Sequence, residues 1–159
     1  MAPRNPRARR GPGRPARPIR REKILSVARG VFAECGYAAA STTRLAELMG
    51  LTKASLFHHV RSKEELYLEV VRETLGRLGE LVEEAREQDG SFVERIDRLA
   101  DDVTEFLAAQ PDAARLLTWE VVGSGPFMEH EGANAVQLVL GGVSAFVEAA
   151  MDRGEIPRQ

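Results

Sequence analysis

One stretch constrains this chain more than any other: residues 41–63, STTRLAELMGLTKASLFHHVRSK, whose punctuation spells out two very short helices. Ser41 is positioned as an N-cap, its hydroxyl able to accept from the unpaired amides of a first helical turn. Leu45, Ala46 and Met49 then fall on one face of a short helix. Gly50 stops it, because glycine enters the left-handed conformation of a tight turn without steric cost. Leu51 plugs the turn. Thr52 caps a second short helix, in which Ala54, Leu56 and Val60 alternate with Lys53, Ser55, His58 and His59. This is the pattern of a helix-turn-helix reader, although any helical hairpin with a glycine turn shares part of it. A major groove admits one helix, and base edges offer donors and acceptors to side chains near that helix's N-terminus.

The flanking sequence is helical throughout. From Ile19 to Cys35, Ile24, Val27, Ala28, Val31 and Phe32 recur at three- and four-residue steps, and Gly36 stands where such a helix would end. Ser62-Lys63-Glu64-Glu65 has the form of a capping box and opens a helix to about Glu87, with Leu66, Val70, Val71, Leu78, Leu81 and Val82 as its core face. After Gln88-Asp89-Gly90, Ser91-Phe92-Val93-Glu94 repeats the capping pattern. The following stripe is Phe92, Ile96, Leu99, Val103 and Phe106, ended near Gln110 by Pro111. A segment from Asp112 to Val122 precedes a loop-like Gly123-Ser124-Gly125-Pro126, and a last helix spans Ala133 to Arg153. No alternation of strand type runs for more than a few residues, so the expected fold is all-α.

Charge divides the chain. Residues 1–63 hold 14 Lys/Arg and 3 Asp/Glu, and residues 64–159 hold 8 and 21, so a net charge of −2 conceals halves of +11 and −13. A basic half joined to an acidic half is the footprint of a polyanion-binding module on a body that stays clear of the polyanion. Residues 1–18, with five prolines and six arginines, read as a disordered basic arm. Its Gly13-Arg14-Pro15 core resembles an AT-hook, which would put Arg14 in a narrow minor groove. A generic basic tail, adding affinity through counterion release, is the alternative. A hydrophobic share of 43% suits a folded rather than a disordered chain. The arm has no apolar run behind it and so is not a secretory signal, and the lone Cys35 fits a reducing compartment.

The run from Arg20 to Glu69 resembles the DNA-binding domain of the tetracycline-repressor-like (TetR) family of bacterial regulators. The matching pieces are Ile24-Leu25 with Ala28 and Phe32, Gly36-Tyr37, Leu45-Ala46, Gly50-Leu51, Leu56-Phe57-His58-His59-Val60 and Ser62-Lys63-Glu64-Glu65-Leu66. The resemblance implies a three-helix head over residues 19–66, its helix-turn-helix at 41–60, followed by a helical effector-binding and dimerisation body over 67–159. It places base contacts at Thr52, Lys53 and Ser55 and a phosphate contact at Lys63. Thr42, Thr43 and Arg44, at the start of the bracing helix, can reach phosphates, although Arg44 has a surface acid as an alternative partner. Phe57 departs from the pattern: many relatives carry a tyrosine there whose hydroxyl reaches a phosphate. Phe57 would keep the packing and lose that bond. His58 could touch sugar-phosphate or bases, and His59 would brace the hairpin.

A reader helix this short buries little DNA, so a homodimer spanning two half-sites is expected, with the last helix and its Gly141-Gly142 pair as interface. Relatives usually continue past the Asp152-Arg153-Gly154-Glu155 type of segment with one further long helix, which this sequence lacks. Either it is truncated or its dimer uses a smaller interface. The resemblance also implies a cavity for a small-molecule effector, with Phe106, Leu117, Trp119, Phe127, Met128 and His130 as candidate lining. No cofactor, metal site or catalytic group is expected. The chain has no phosphate loop and no metal-spaced cluster, and His58 and His59 point about 100° apart on a helix. The expected function is a ligand-responsive repressor on a palindromic operator, cytoplasmic and nucleoid-associated, with no membrane contact. The rival readings are a nucleic-acid binder without sequence preference, led by the arm, and a helical adaptor that binds only protein.

Overall fold

The computed structural model describes residues 19–123 and 126–158, with the side chains of 121, 123 and 132–140 outside that description. The arm with Arg14 therefore lies outside the described residues, as do the side chains of Val136, Val139 and Leu140 on the last helix, the expected interface. Seven helices follow one another among the described residues: α1 Arg21–Ala39, α2 Thr42–Leu48, α3 Lys53–His59, α4 Lys63–Glu87, α5 Phe92–Ala109, α6 Pro111–Gly123 and α7 Pro126–Asp152. No strand occurs among them, and the chain is all-α.

Local chemistry sets most boundaries. Ser41, Thr52, Ser62 and Ser91 each accept from a backbone amide three residues on, at Arg44, Ser55, Glu65 and Glu94. At Ser91 the box is reciprocal. At Ser62 it is not: the Glu65 carboxylate accepts from the Arg61 amide at 2.7 Å, one residue upstream of the expected partner. Gly50, at φ 70°, closes α2. The Leu51 amide donates to the Ala46 carbonyl at 2.8 Å and the Gly50 amide to that of Glu47 at 3.0 Å, the paired bonds of a Schellman end. Gly36, at φ 72°, interrupts α1, and one further turn follows it. The last helix begins at Pro126, seven residues before the expected Ala133. Proline at the first helical position needs no amide partner, so a residue that reads as loop in fact opens the helix.

One core runs through the head and into the body. Ile24, Ala28 and Phe32 of α1, Leu45 and Ala46 of α2, Leu56 of α3, and Leu66, Tyr67, Val70 and Val71 of α4 are buried together, joined by Leu116 of α6 and Phe127 of α7. Each large apolar side chain so buried contributes about 1.5–3 kcal/mol. Helix α4 is the shared wall, packing on α1, α5 and α7, while α6 lies along α1.

The body is less well covered. The expected apolar stripe of α5 is present, but Arg95 is the helix's only fully buried residue among those described. Ile96 is 40% exposed, Val93 65% and, on α7, Val143 48%. Arg95 donates to the Gly90 carbonyl at 2.9 Å and to both carboxylate oxygens of Glu155 at 3.1 and 3.2 Å, pinning the segment after α7 to the α4–α5 turn.

Candidate nucleic-acid interface

Helix α3 is held from behind and open in front. Leu56 and Val60 are buried against the head, while Thr52, Lys53, Ala54, Phe57, His58 and His59 are exposed. Its first turn is organised internally. The Thr52 hydroxyl oxygen accepts from the Ser55 amide at 3.1 Å and its proton goes to the Ser55 hydroxyl at 2.9 Å. Those two side chains are thereby fixed to each other, and Lys53 between them has no ion-pair partner among the described residues. Phe57 does not keep the packing expected of it. It is 39% exposed, because Leu56 and Val60 already fill the inward positions of this two-turn helix.

The other end of α3 is tied down by Arg21, a residue the sequence pattern does not single out. Its guanidinium donates to the His59 carbonyl at 2.7 Å and pairs with Glu69 of α4. The start of α1, the end of α3 and α4 are thus clamped by one side chain.

The bracing helix presents less than expected. Thr43 is exposed and Thr42 half-buried. Arg44 donates to Glu34 at 2.7 Å, which raises its pKa further, first through that hydrogen bond and then through the carboxylate's charge. The surface acid is therefore its partner here. Lys63 is turned inward. Its ammonium donates to the carbonyls of Tyr37 at 2.8 Å and Ala40 at 3.2 Å, with Ala38 at 3.5 Å, and lies 4.2 Å from the centre of the Tyr37 ring. These carbonyls stand at the C-terminal end of α1, where the Tyr37 carbonyl also accepts from the Ala40 amide at 3.3 Å, and the lysine adds a charged donor to them.

The six residues named as effector lining do not converge. Trp119 donates its indole N–H to the Ala33 carbonyl at 3.1 Å and lies over Gly36, where an added Cβ would come within 3.2 Å of the ring. It fastens α6 to α1. Phe127 is in the common core. Leu117 is half-buried, and Met128 is 39% exposed. His130 is exposed, its Nδ1 at 2.8 Å from the Pro126 carbonyl and its Nε2 at 3.6 Å from Glu64 of α4. Phe106 alone lines a sizeable cleft, of about 490 Å³, shared with Arg29 of α1, Glu73, Thr74 and Gly76 of α4, and Gln110. Nearer the core, Glu120 accepts from the Met128 amide at 3.0 Å and so caps α7. The Tyr67 phenol is pushed far above its usual pKa, chiefly by burial and then by Glu120.

Gly141 and Gly142 face differently. A Cβ on Gly142 would meet Val82 of α4 at 3.6 Å, whereas one on Gly141 would meet nothing within 4 Å. No group of three or more potential metal ligands occurs among the described residues, and no helix there is long and apolar enough to cross a membrane.

Residues 24–70 match the family model for bacterial regulatory proteins of the tetR family. The chain is 33% identical over 114 residues to the HTH-type transcriptional repressor AcnR of Corynebacterium diphtheriae, covering 71% of this chain and 58% of that protein. It is 29% identical over 141 residues to AcnR of Corynebacterium glutamicum, covering 86% and 71% respectively. Among solved structures, the fatty acid degradation regulator FadR of Bacillus halodurans superposes with a TM-score of 0.72 at 18% identity, over 85% of this chain and 73% of that one, a likeness of fold. The residues matched by the family model, 24–70, contain the buried hairpin and its open reader face, and over them the chain carries a DNA-binding head of the tetR type.

Proposed function

We propose that the protein is a DNA-binding transcriptional repressor that grips a palindromic operator as a homodimer and is released by a small-molecule effector. The observation that carries this reading is the outward first turn of α3, Thr52-Lys53-Ala54, exposed and internally capped while Leu56 and Val60 anchor it from behind. A helix presented this way enters a major groove N-terminus first, with Lys53 able to donate to guanine acceptors. Thr43 and the first amides of α2 then meet phosphates, and His58 follows the groove wall. Phe57, exposed beside it, meets sugar or a thymine methyl. Arg14 of the arm adds a minor-groove contact. Residues 19–66 act as the head and 67–159 as the body, and the site of action is the cytoplasm, at the nucleoid.

Support for the dimer comes from the body. Val93 and Ile96 of α5 and Val143 of α7 leave apolar surface in water, and Gly141 stands open on α7. The reading requires a pairing of two bodies that sets two α3 helices about one turn of duplex apart. The reading is non-enzymatic.

The test is selection of bound duplexes from a random pool by the purified protein. Enrichment of an inverted repeat is the expected result. A pool that shows salt-sensitive binding with no enriched sequence would favour the binder without sequence preference.

A further inference from the structure

The cleft of about 490 Å³ between α1, α4 and α5 has features that the reader does not use. It is bounded by helices of both halves: Arg29 belongs to the head, Phe106 and Gln110 to the body, and Glu73, Thr74 and Gly76 to the shared wall α4. Of its charged residues, Arg77 and Glu80 satisfy each other at 2.9 Å on one rim. Arg29 and Glu73 pair neither with each other nor with any other charged group among the described residues. A cation and a carboxylate that do not pair with each other thus line one cleft. The Thr74 hydroxyl is spent on the Val70 carbonyl at 2.9 Å, and a Cβ at Gly76 would meet nothing within 4 Å. Phe106 supplies an apolar surface at the α5 side.

We infer that this cleft binds a small zwitterion of the α-amino acid type, its carboxylate on Arg29, its ammonium on Glu73 and its side chain toward Phe106. A guanidinium is suited to fork-like recognition of a carboxylate, and each charge-assisted bond replaces water on a group that has no protein partner. The volume holds an amino acid with room for a bulky side chain. A neutral ligand with two opposite charges suits this lining better than a simple anion, which would leave Glu73 facing like charge beside Arg29. Bound there, it ties α1 to α5 across α4 and so changes the angle of the head on the body. By linkage, that would alter operator affinity by the same factor that the operator alters ligand affinity. Only this consequence rests on the repressor reading; the binding itself does not.

The experiment is calorimetric titration of the full chain, without DNA, with each of the common L-amino acids. Each amino acid is compared with its N-acetyl and carboxamide derivatives, and succinate serves as a plain dianion. At least one amino acid should bind, with both blocked forms weaker by about tenfold or more, the loss of one charge-assisted bond. Arg29→Gln and Glu73→Gln should each weaken that binding about tenfold while the unfolding temperature stays unchanged. Absence of binding up to about 10 mM overturns the inference, as does equal affinity for a blocked form or for succinate. Should a variant fail to fold, the blocked forms on the unaltered chain decide the matter alone. Duplex selection with the same preparation keeps the two readings apart, since enrichment of an operator without amino-acid binding sinks only this one.

Discussion

Lys63 shows how far a residue's neighbours can redirect its role. Its place at the start of α4, and the resemblance, suggest a phosphate contact. Three-dimensionally its ammonium is engaged by the Tyr37 and Ala40 carbonyls at 2.8 and 3.2 Å. Hydrogen bonds to a charged group are worth about 1.5–3 kcal/mol. Lys63→Ala is therefore expected to lower stability by about 2 kcal/mol in urea unfolding, with little change in the salt slope of DNA binding. Unchanged stability with a slope flatter by about one unit would return the residue to the phosphates. Arg95 makes a second case. It is 1% exposed, and its removal would leave Glu155 with only the more distant Arg153 guanidinium at 4.0 Å. Arg95→Ala should cost about 2–3 kcal/mol, read from the shift in denaturation midpoint, and a loss below about 1 kcal/mol would mean that the pair is not formed. Neither partnership could be seen in the sequence, because Lys63 lies 26 positions from Tyr37, and Arg95 lies 60 from Glu155. Long-range pairs leave no periodic trace.

The elements were legible where their causes are local. Caps at Ser41, Thr52, Ser62 and Ser91, and the turn at Gly50, act within a few residues, and each of these boundaries follows from them. The start of α7 at Pro126 was obscured because Gly and Pro together read as loop, although Pro at the first position favours a helix. The α5 stripe was legible as periodicity, but its covering was not, since amphipathicity tells which face is apolar and not what meets it. The same limit explains why Trp119 reads as pocket lining: an aromatic at helical spacing does not reveal that its N–H belongs to Ala33. The α1–α6 junction rests on two features, Gly36 at φ 72° and the Trp119 ring 3.2 Å from an added Cβ. Gly36→Ala should then cost at least about 1–2 kcal/mol and disturb the head, measured as a drop in thermal midpoint; tolerance of alanine would show that the interruption in α1 is not needed. Between α4 and α7, the Arg72–Glu131 pair lowers the Glu131 pKa, mainly through its hydrogen bond and then through charge. A depressed carboxylate contributes stability that is present above its unfolded value and lost as pH falls through the folded one. This tie should therefore loosen only in acid, below the usual glutamate range. Its partial exposure keeps the contribution small, so an Arg72→Gln variant should lose little at neutral pH and narrow the acid dependence.

As a whole, the molecule divides into a head whose core is closed and a body whose apolar surface is not. Leu116 and Phe127 join the head's cluster, so the two halves share a wall rather than a hinge of free chain. The open side chains Val93, Ile96 and Val143 bring the dimer reading to a direct trial. Sedimentation should give a two-chain species, and Ile96→Glu should shift it toward one chain while leaving the head folded; an unaltered dimer would place the interface elsewhere. A two-chain assembly would bring the first turn of each α3 to the base edges. The most direct trial is to select duplexes from one random pool with the unaltered chain and with Lys53→Ala, side by side. Inverted repeats that differ at a symmetric pair of positions are expected, with discrimination there reduced by about 1–3 kcal/mol. The same repeat from both proteins, equally discriminated at every position, would contradict that expectation.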